Sequence, residues 1–129
     1  MSAAEAPTPY ELLGGEAAVR ALTERFYDLM DTSPDAVELR AMHGPDLALM
    51  REKLYDFMSG WLGGPPRYFE RTDRQCMTSV HAQYAIGARE RDQWLACMNE
   101  ALATLDAPAA TVELVRAALT RVADALRNA

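Results

Sequence analysis

The run Gly63-Gly64-Pro65-Pro66 constrains this chain more than any other feature, because two glycines followed by two prolines end any helix that reaches them. Just upstream, Leu47, Met50, Leu54, Phe57 and Trp61 recur at steps of three and four. That spacing predicts a long helix with one buried face, stopped abruptly at the break.

The same period organises the rest of the chain. Thr8-Pro9-Tyr10-Glu11 has a threonine cap, proline at the first helical position and glutamate three residues after the cap. Order is therefore expected from Thr8, after a small, polar tail over residues 1–7, and Gly14-Gly15 closes this first turn. Val19, Leu22, Phe26 and Leu29 predict a second helix from Glu16 to about Asp31. Ser33-Pro34 opens a short helix through Val37 and Leu39, closed by the His43-Gly44-Pro45 corner. Residues 67–75 read as irregular, and a short helix is expected from about Gln75 to Tyr84, broken by Gly87. A helix from about Ala88 presents Trp94, Met98, Leu102 and Leu105, and the last, after Pro108, presents Val115, Leu119, Val122 and Leu126. No segment alternates as a strand does, so the expectation is an all-α fold with one domain over residues 8–129.

Charge narrows the function. The 129 residues carry a net charge of -6 with no Lys/Arg cluster, which disfavours both nucleic acid and anionic lipid as partners. The start, MSAAEAPTP, has neither the basic nor the apolar region of a signal peptide, and no run approaches the roughly twenty apolar residues that span a bilayer. A cytoplasmic location is expected. Cys76 and Cys97 read as free thiols, Cys97 as a small core residue.

Few residues offer chemistry. His81 precedes Trp94 by thirteen residues, with Gly87 between them. Taken singly, each has an ordinary reading: a lone histidine is usually satisfied by a backbone carbonyl, a tryptophan on an amphipathic helix is usually core, and Tyr27 can be a rim residue. Leu54 and Phe57 read as core. Two distant histidines do not make a protein-only zinc site, and the sequence has neither GxSxG nor a phosphate-binding glycine loop. One histidine suffices where a large cofactor supplies the remaining ligands, as haem does.

The blocks YELLGGEAAVRAL, RFYDLM, RAMHGPDL, REKLYDFMSGWLGGP and H-(x)5-G-(x)2-ERDQWLACM, spanning about Tyr10 to Met98, resemble the group II truncated haemoglobins. The resemblance implies a two-over-two helical sandwich holding haem b. In it, His81 is the proximal ligand to the haem iron, and Tyr27 and Trp94 are the distal donors that stabilise a bound ligand. His43 falls at a position near the haem, and Met50 and Leu54 fall where the long helix crosses the distal side. Phe57 lines the pocket farther along, and Met98 completes an apolar wall with Leu54 and Phe57. Lys53 matches a basic position that reaches a haem propionate.

One segment departs from the family pattern. Members commonly carry Gly-His-Pro before the proximal helix and arginines just before the histidine, whereas this chain has TDRQCMTSVH. That propionate anchor is missing; Lys53, Arg74 or Arg67 are the substitutes at hand. An exposed ion pair is worth about 0–1 kcal/mol, small against burial of a haem-sized apolar surface, so haem binding is expected to survive.

The resemblance also implies the ligands: dioxygen, nitric oxide, carbon monoxide or peroxide, with a reductase as redox partner and a monomer or homodimer as the working form. Several polar distal donors favour redox chemistry, as a nitric oxide dioxygenase or peroxidase-like enzyme, over oxygen storage. The alternatives are a redox or gas sensor acting through partners, a haem-free interaction module on the same fold, and coordination of the iron by His43.

Overall fold

A computed structural model of the chain describes residues 6–129; the expected tail lies mostly outside the described residues, and Ala6 and Pro7 are exposed and non-helical. Seven α-helices follow in order: α1 (Pro9–Leu13), α2 (Gly15–Thr32), α3 (Val37–Ala41), α4 (Ala48–Trp61), α5 (Met77–His81), α6 (Ala88–Leu102) and α7 (Ala109–Leu126). Short 3₁₀ turns at Pro34–Ala36 and Tyr68–Glu70 fill two connections. No strand occurs among the described residues. The four long helices α2, α4, α6 and α7 form a two-over-two sandwich, with α2 packed on both α4 and α6 and α6 packed on α7.

Local chemistry sets the helix starts. Thr8 Oγ1 accepts from the Glu11 amide at 3.2 Å while the Thr8 amide donates to Glu11 Oε1 at 3.0 Å, a reciprocal cap on α1. Gly14 and Gly15 have φ of 121° and 74°, so the chain turns from α1 into α2 with almost no connection. Gly87 does not merely break a helix: it is the N-cap of α6, and its amide donates to Glu90 Oε1 at 3.0 Å. The helix expected from Gln75 to Tyr84 is only five residues long, because neither flank carries a periodic apolar face that would bury more of it.

The core is centred on α2, whose Val19, Leu22, Phe26, Leu29 and Met30 are all buried. Cys97, Met98, Ala101 and Leu102 of α6 and Val115 and Leu119 of α7 meet them there. The long helix α4 departs from its expected register. Its buried residues are Tyr55, Met58 and Ser59, continued by Leu62, while Leu54, Phe57 and Trp61 are only half-buried against the core and Met50 is exposed. Two faces of α4 are apolar, and the stripe read from the sequence is the one the protein core leaves partly uncovered. Of the expected face, Leu47 is buried, and the assignment of Met50, Leu54, Phe57 and Trp61 to the buried core is corrected.

After α4 the chain doubles back under α1. Gly63 has φ of 94°, the Ser59 hydroxyl donates to the Pro65 carbonyl at 2.7 Å, and the Tyr10 amide donates to the Leu62 carbonyl at 2.9 Å. A Cβ on Gly64 would lie 2.4–2.6 Å from three atoms of the Tyr10 ring. Gly64→Val is accordingly expected to cost about 1–3 kcal/mol through overpacking, read as a lowered midpoint in urea unfolding. An unchanged midpoint would mean that the Tyr10 ring swings aside freely.

Candidate functional site

Tyr27 lies on the buried side of α2, only 4 % exposed, because it follows Phe26 at the point where α2 crosses α6. Its ring meets Phe26 edge-on at 4.9 Å between centroids, and Phe26 meets Trp94 of α6 at 5.2 Å with the planes tilted by 58°. Tyr27 also meets the His43 ring edge-on at 6.3 Å. One aromatic cluster thus joins three predicted site residues from three separate parts of the chain. Neither the Tyr27 hydroxyl nor the Trp94 indole N–H has a hydrogen-bond partner among the described residues, while burial pushes the Tyr27 phenol well above its usual range, partly offset by the Arg51 charge. The hydroxyl stays protonated and keeps its donor available.

His43 is placed by long-range contacts. Gln93, next to Trp94 on α6, accepts the Leu39 amide on Oε1 at 2.9 Å and donates from Nε2 to Glu38 at 2.7 Å. This satisfies an orphan amide in the first turn of α3. The Leu39 carbonyl then accepts from His43 Nδ1 at 2.9 Å. A carbonyl can only accept, so Nδ1 bears the proton and Nε2 of the neutral ring carries the lone pair. Burial, opposed by the bond to Leu39 and helped by the nearby charge of Arg40, holds His43 below its ordinary value and favours the neutral ring. Arg40 fixes the corner itself, donating to the Gly44 carbonyl at 2.9 Å and the Pro45 carbonyl at 3.1 Å while pairing with Asp31 at 2.9 Å.

His81 ends α5, and its Nδ1 bonds the Met77 carbonyl at 2.6 Å. The same logic leaves its Nε2 lone pair free to coordinate a metal. His81 is half-buried. Met98 is fully buried, whereas Leu54, Phe57 and Trp61 of α4 offer a half-covered apolar surface, with Phe57 edge-on to Tyr68 at 5.9 Å.

The basic residues are less concentrated. Lys53 Nζ lies 4.0 Å from Asp73, and Arg71 links Asp56 of α4 at 2.7 Å to Asp73 at 2.8 Å. Arg74 is exposed, and its guanidinium donates to the Phe69 and Arg71 carbonyls at 3.2 and 3.1 Å. Arg67 is turned toward Glu16 at 3.7 Å and lies over the Tyr55 ring at 5.8 Å. All three predicted cations thus have protein partners: Asp73 for Lys53, backbone carbonyls for Arg74 and Glu16 for Arg67. Met50 is at the exposed edge of the apolar face.

Three positioning residues carried no signal in the sequence. Gln93 stands in the ERDQW block, but its partners lie 54 and 55 residues away; Asn128 likewise acts on distant backbone, whereas Arg40 binds the carbonyls of the corner that follows it. Among the described residues no cluster of three His, Cys, Asp or Glu could hold a metal by itself, and no helix is long and apolar enough to cross a membrane.

The donor set fits a haem: one imidazole with a free Nε2, an apolar helix face left half-covered, and two unpaired N–H and O–H donors joined through Phe26. Comparison with known proteins agrees with that chemistry. The bacterial-like globin family matches residues 8–128. The group 2 truncated hemoglobin YjbI of Bacillus subtilis (strain 168) is 31 % identical over 94 residues, covering 73 % of this chain and 68 % of its own. The group II 2-on-2 hemoglobin of the plant pathogen Agrobacterium tumefaciens superposes with a TM-score of 0.91 at 42 % identity, covering 98 % of both chains. The cold-adapted truncated hemoglobin of the Antarctic bacterium Pseudoalteromonas haloplanktis TAC125 gives 0.91 at 35 % identity, covering 95 % of this chain and 99 % of its own. The chain belongs to the bacterial-like globin family and, within it, to the group II truncated haemoglobins.

Proposed function

We propose that the protein would bind haem b through His81 Nε2 and hold a diatomic gas beside Tyr27 and Trp94, in the cytoplasm, for redox chemistry rather than storage. The observation that carries this reading is the protonated hydroxyl of the buried Tyr27, which has no protein partner and is linked through Phe26 to the equally unpaired Trp94 N–H. A haem, when bound, supplies the iron that takes the ligand and changes oxidation state, with an external reductase returning it to the ferrous form. Everything else falls to the chain. His81 is oriented by its bond to Met77; Tyr27 and Trp94 donate to a ligand that carries negative charge; Leu54, Phe57 and Met98 exclude water and strengthen those bonds. Lys53 would reach a propionate. Strong retention by two donors suits reaction of held dioxygen with nitric oxide, or peroxide reduction, better than release.

The test begins with haemin titration, reduction, and exposure to dioxygen, carbon monoxide and nitric oxide. Tyr27→Phe and Trp94→Phe should each speed ligand dissociation by about tenfold, the ratio equivalent to about 1.4 kcal/mol for one lost hydrogen bond. Rates unchanged in both variants would remove them from the ligand site. A ferrous spectrum that is six-coordinate without added ligand would point to His43 Nε2 as a second protein ligand instead. Turnover with nitric oxide or peroxide is expected, and absence of both would leave a binding or sensing role.

A further inference from the structure

The helix that carries His81 is held by almost nothing of its own. α5 has five residues, none of them buried, and no substantial packing on any other helix. One isolated helical turn is unstable, because nucleation fixes several residues for a single hydrogen bond. Two side chains bracket it, one from the connection just before it and one from the segment after α7. On the entry side the Tyr68 hydroxyl donates to the Gln75 carbonyl at 3.2 Å and accepts the Gln75 amide at 2.9 Å.

On the exit side stands Asn128. Its Nδ2 donates to the Tyr84 carbonyl at 2.9 Å and the His81 carbonyl at 3.3 Å, while its Oδ1 accepts the Ile86 amide at 2.8 Å. This pattern fixes the amide orientation, since the reverse flip would set oxygen against two carbonyls. The Asn128 and Ala129 amides both donate to the Ile86 carbonyl, at 2.9 and 3.0 Å. The segment after α7 thus binds both the backbone of His81 itself and the loop that leaves it.

We propose that Asn128 is a positioning residue for the proximal histidine, setting how far His81 can move along its bond to the iron; this rests on the ligand reading given above. A backbone tied at its carbonyl limits both approach and withdrawal of the imidazole. A separate contact joins the same end of α7 to α6: Arg91 pairs with Asp124 at 2.9 Å.

Asn128→Ala, Asn128→Asp and Arg91→Ala haem-loaded proteins would be compared for the iron–histidine stretching band in resonance Raman and for haem transfer to excess apomyoglobin. Asp keeps the acceptor for Ile86 but loses both donated bonds. Both Asn128 variants are expected to broaden and lower the band and to release haem about tenfold faster, with Arg91→Ala unchanged. Hydrogen exchange of the haem-free protein supplies a readout without iron: the Ile86 amide is expected to lose protection in Asn128→Ala and to keep it in Asn128→Asp. An unchanged band and unchanged release in both Asn128 variants, or equal effects from Arg91→Ala, would overturn the proposal. His81→Ala retaining the parent spectrum would instead show that the ligand reading itself is wrong, and the proposal would fall with it.

Discussion

His81→Ala is expected to lose the five-coordinate ferrous spectrum of a histidine-ligated haem and to release haem faster by at least about 100-fold. Removing only an outer-shell partner of a metal ligand already costs about 10- to 100-fold, and this change removes the ligand itself. The apolar wall of Leu54, Phe57 and Met98 remains, so haemin should still associate weakly, with a shifted Soret band. Added imidazole should restore the parent spectrum by filling the vacated place beside Met77, whose carbonyl orients the ring. Visible absorption during imidazole titration checks both statements. An unaltered spectrum would move ligation to His43, the remaining histidine of the sequence.

A second large effect is expected at Phe26. Its ring is fully buried and forms the shared wall of Tyr27 and Trp94. Phe26→Ala should cost about 3–5 kcal/mol in urea unfolding of the haem-free protein, through lost transfer energy plus the cavity left behind. That is a large part of a stability of about 5–15 kcal/mol. Ligand dissociation should accelerate as well, because both donors lose the surface that fixes their rotamers. A loss below about 1 kcal/mol would mean that the surroundings collapse to fill the space, a repacking within the range that tolerant cores allow.

These two sites differ in how they can be found. Phe26 is legible as core from its period alone, since Val19, Leu22, Phe26 and Leu29 repeat along one face of α2 and all are buried. The cap at Thr8, the break at Gly63-Gly64-Pro65-Pro66 and the helices α6 and α7 follow from equally local chemistry. His81 is different. Its own neighbourhood, MTSVH, holds no apolar repeat, and only its place in a larger set of motifs singles it out.

What the sequence determined, then, is every element whose stability is settled within a few residues: caps, glycine turns, proline stops and apolar stripes. It also pointed to Tyr27, His43, His81 and Trp94 as a set, through resemblance and not through spacing. The tertiary structure alone decided which apolar face of α4 is buried, because that depends on where α2 lies and not on the stripe itself. It alone showed that Gln93 supports the short helix leading to His43 and that Asn128 ties the backbone that leaves α5. Bonds between a side chain and backbone dozens of residues away, such as the 44 separating Asn128 from Tyr84, leave no period in a sequence. They come into being only when packing of the apolar faces brings the distant segments together.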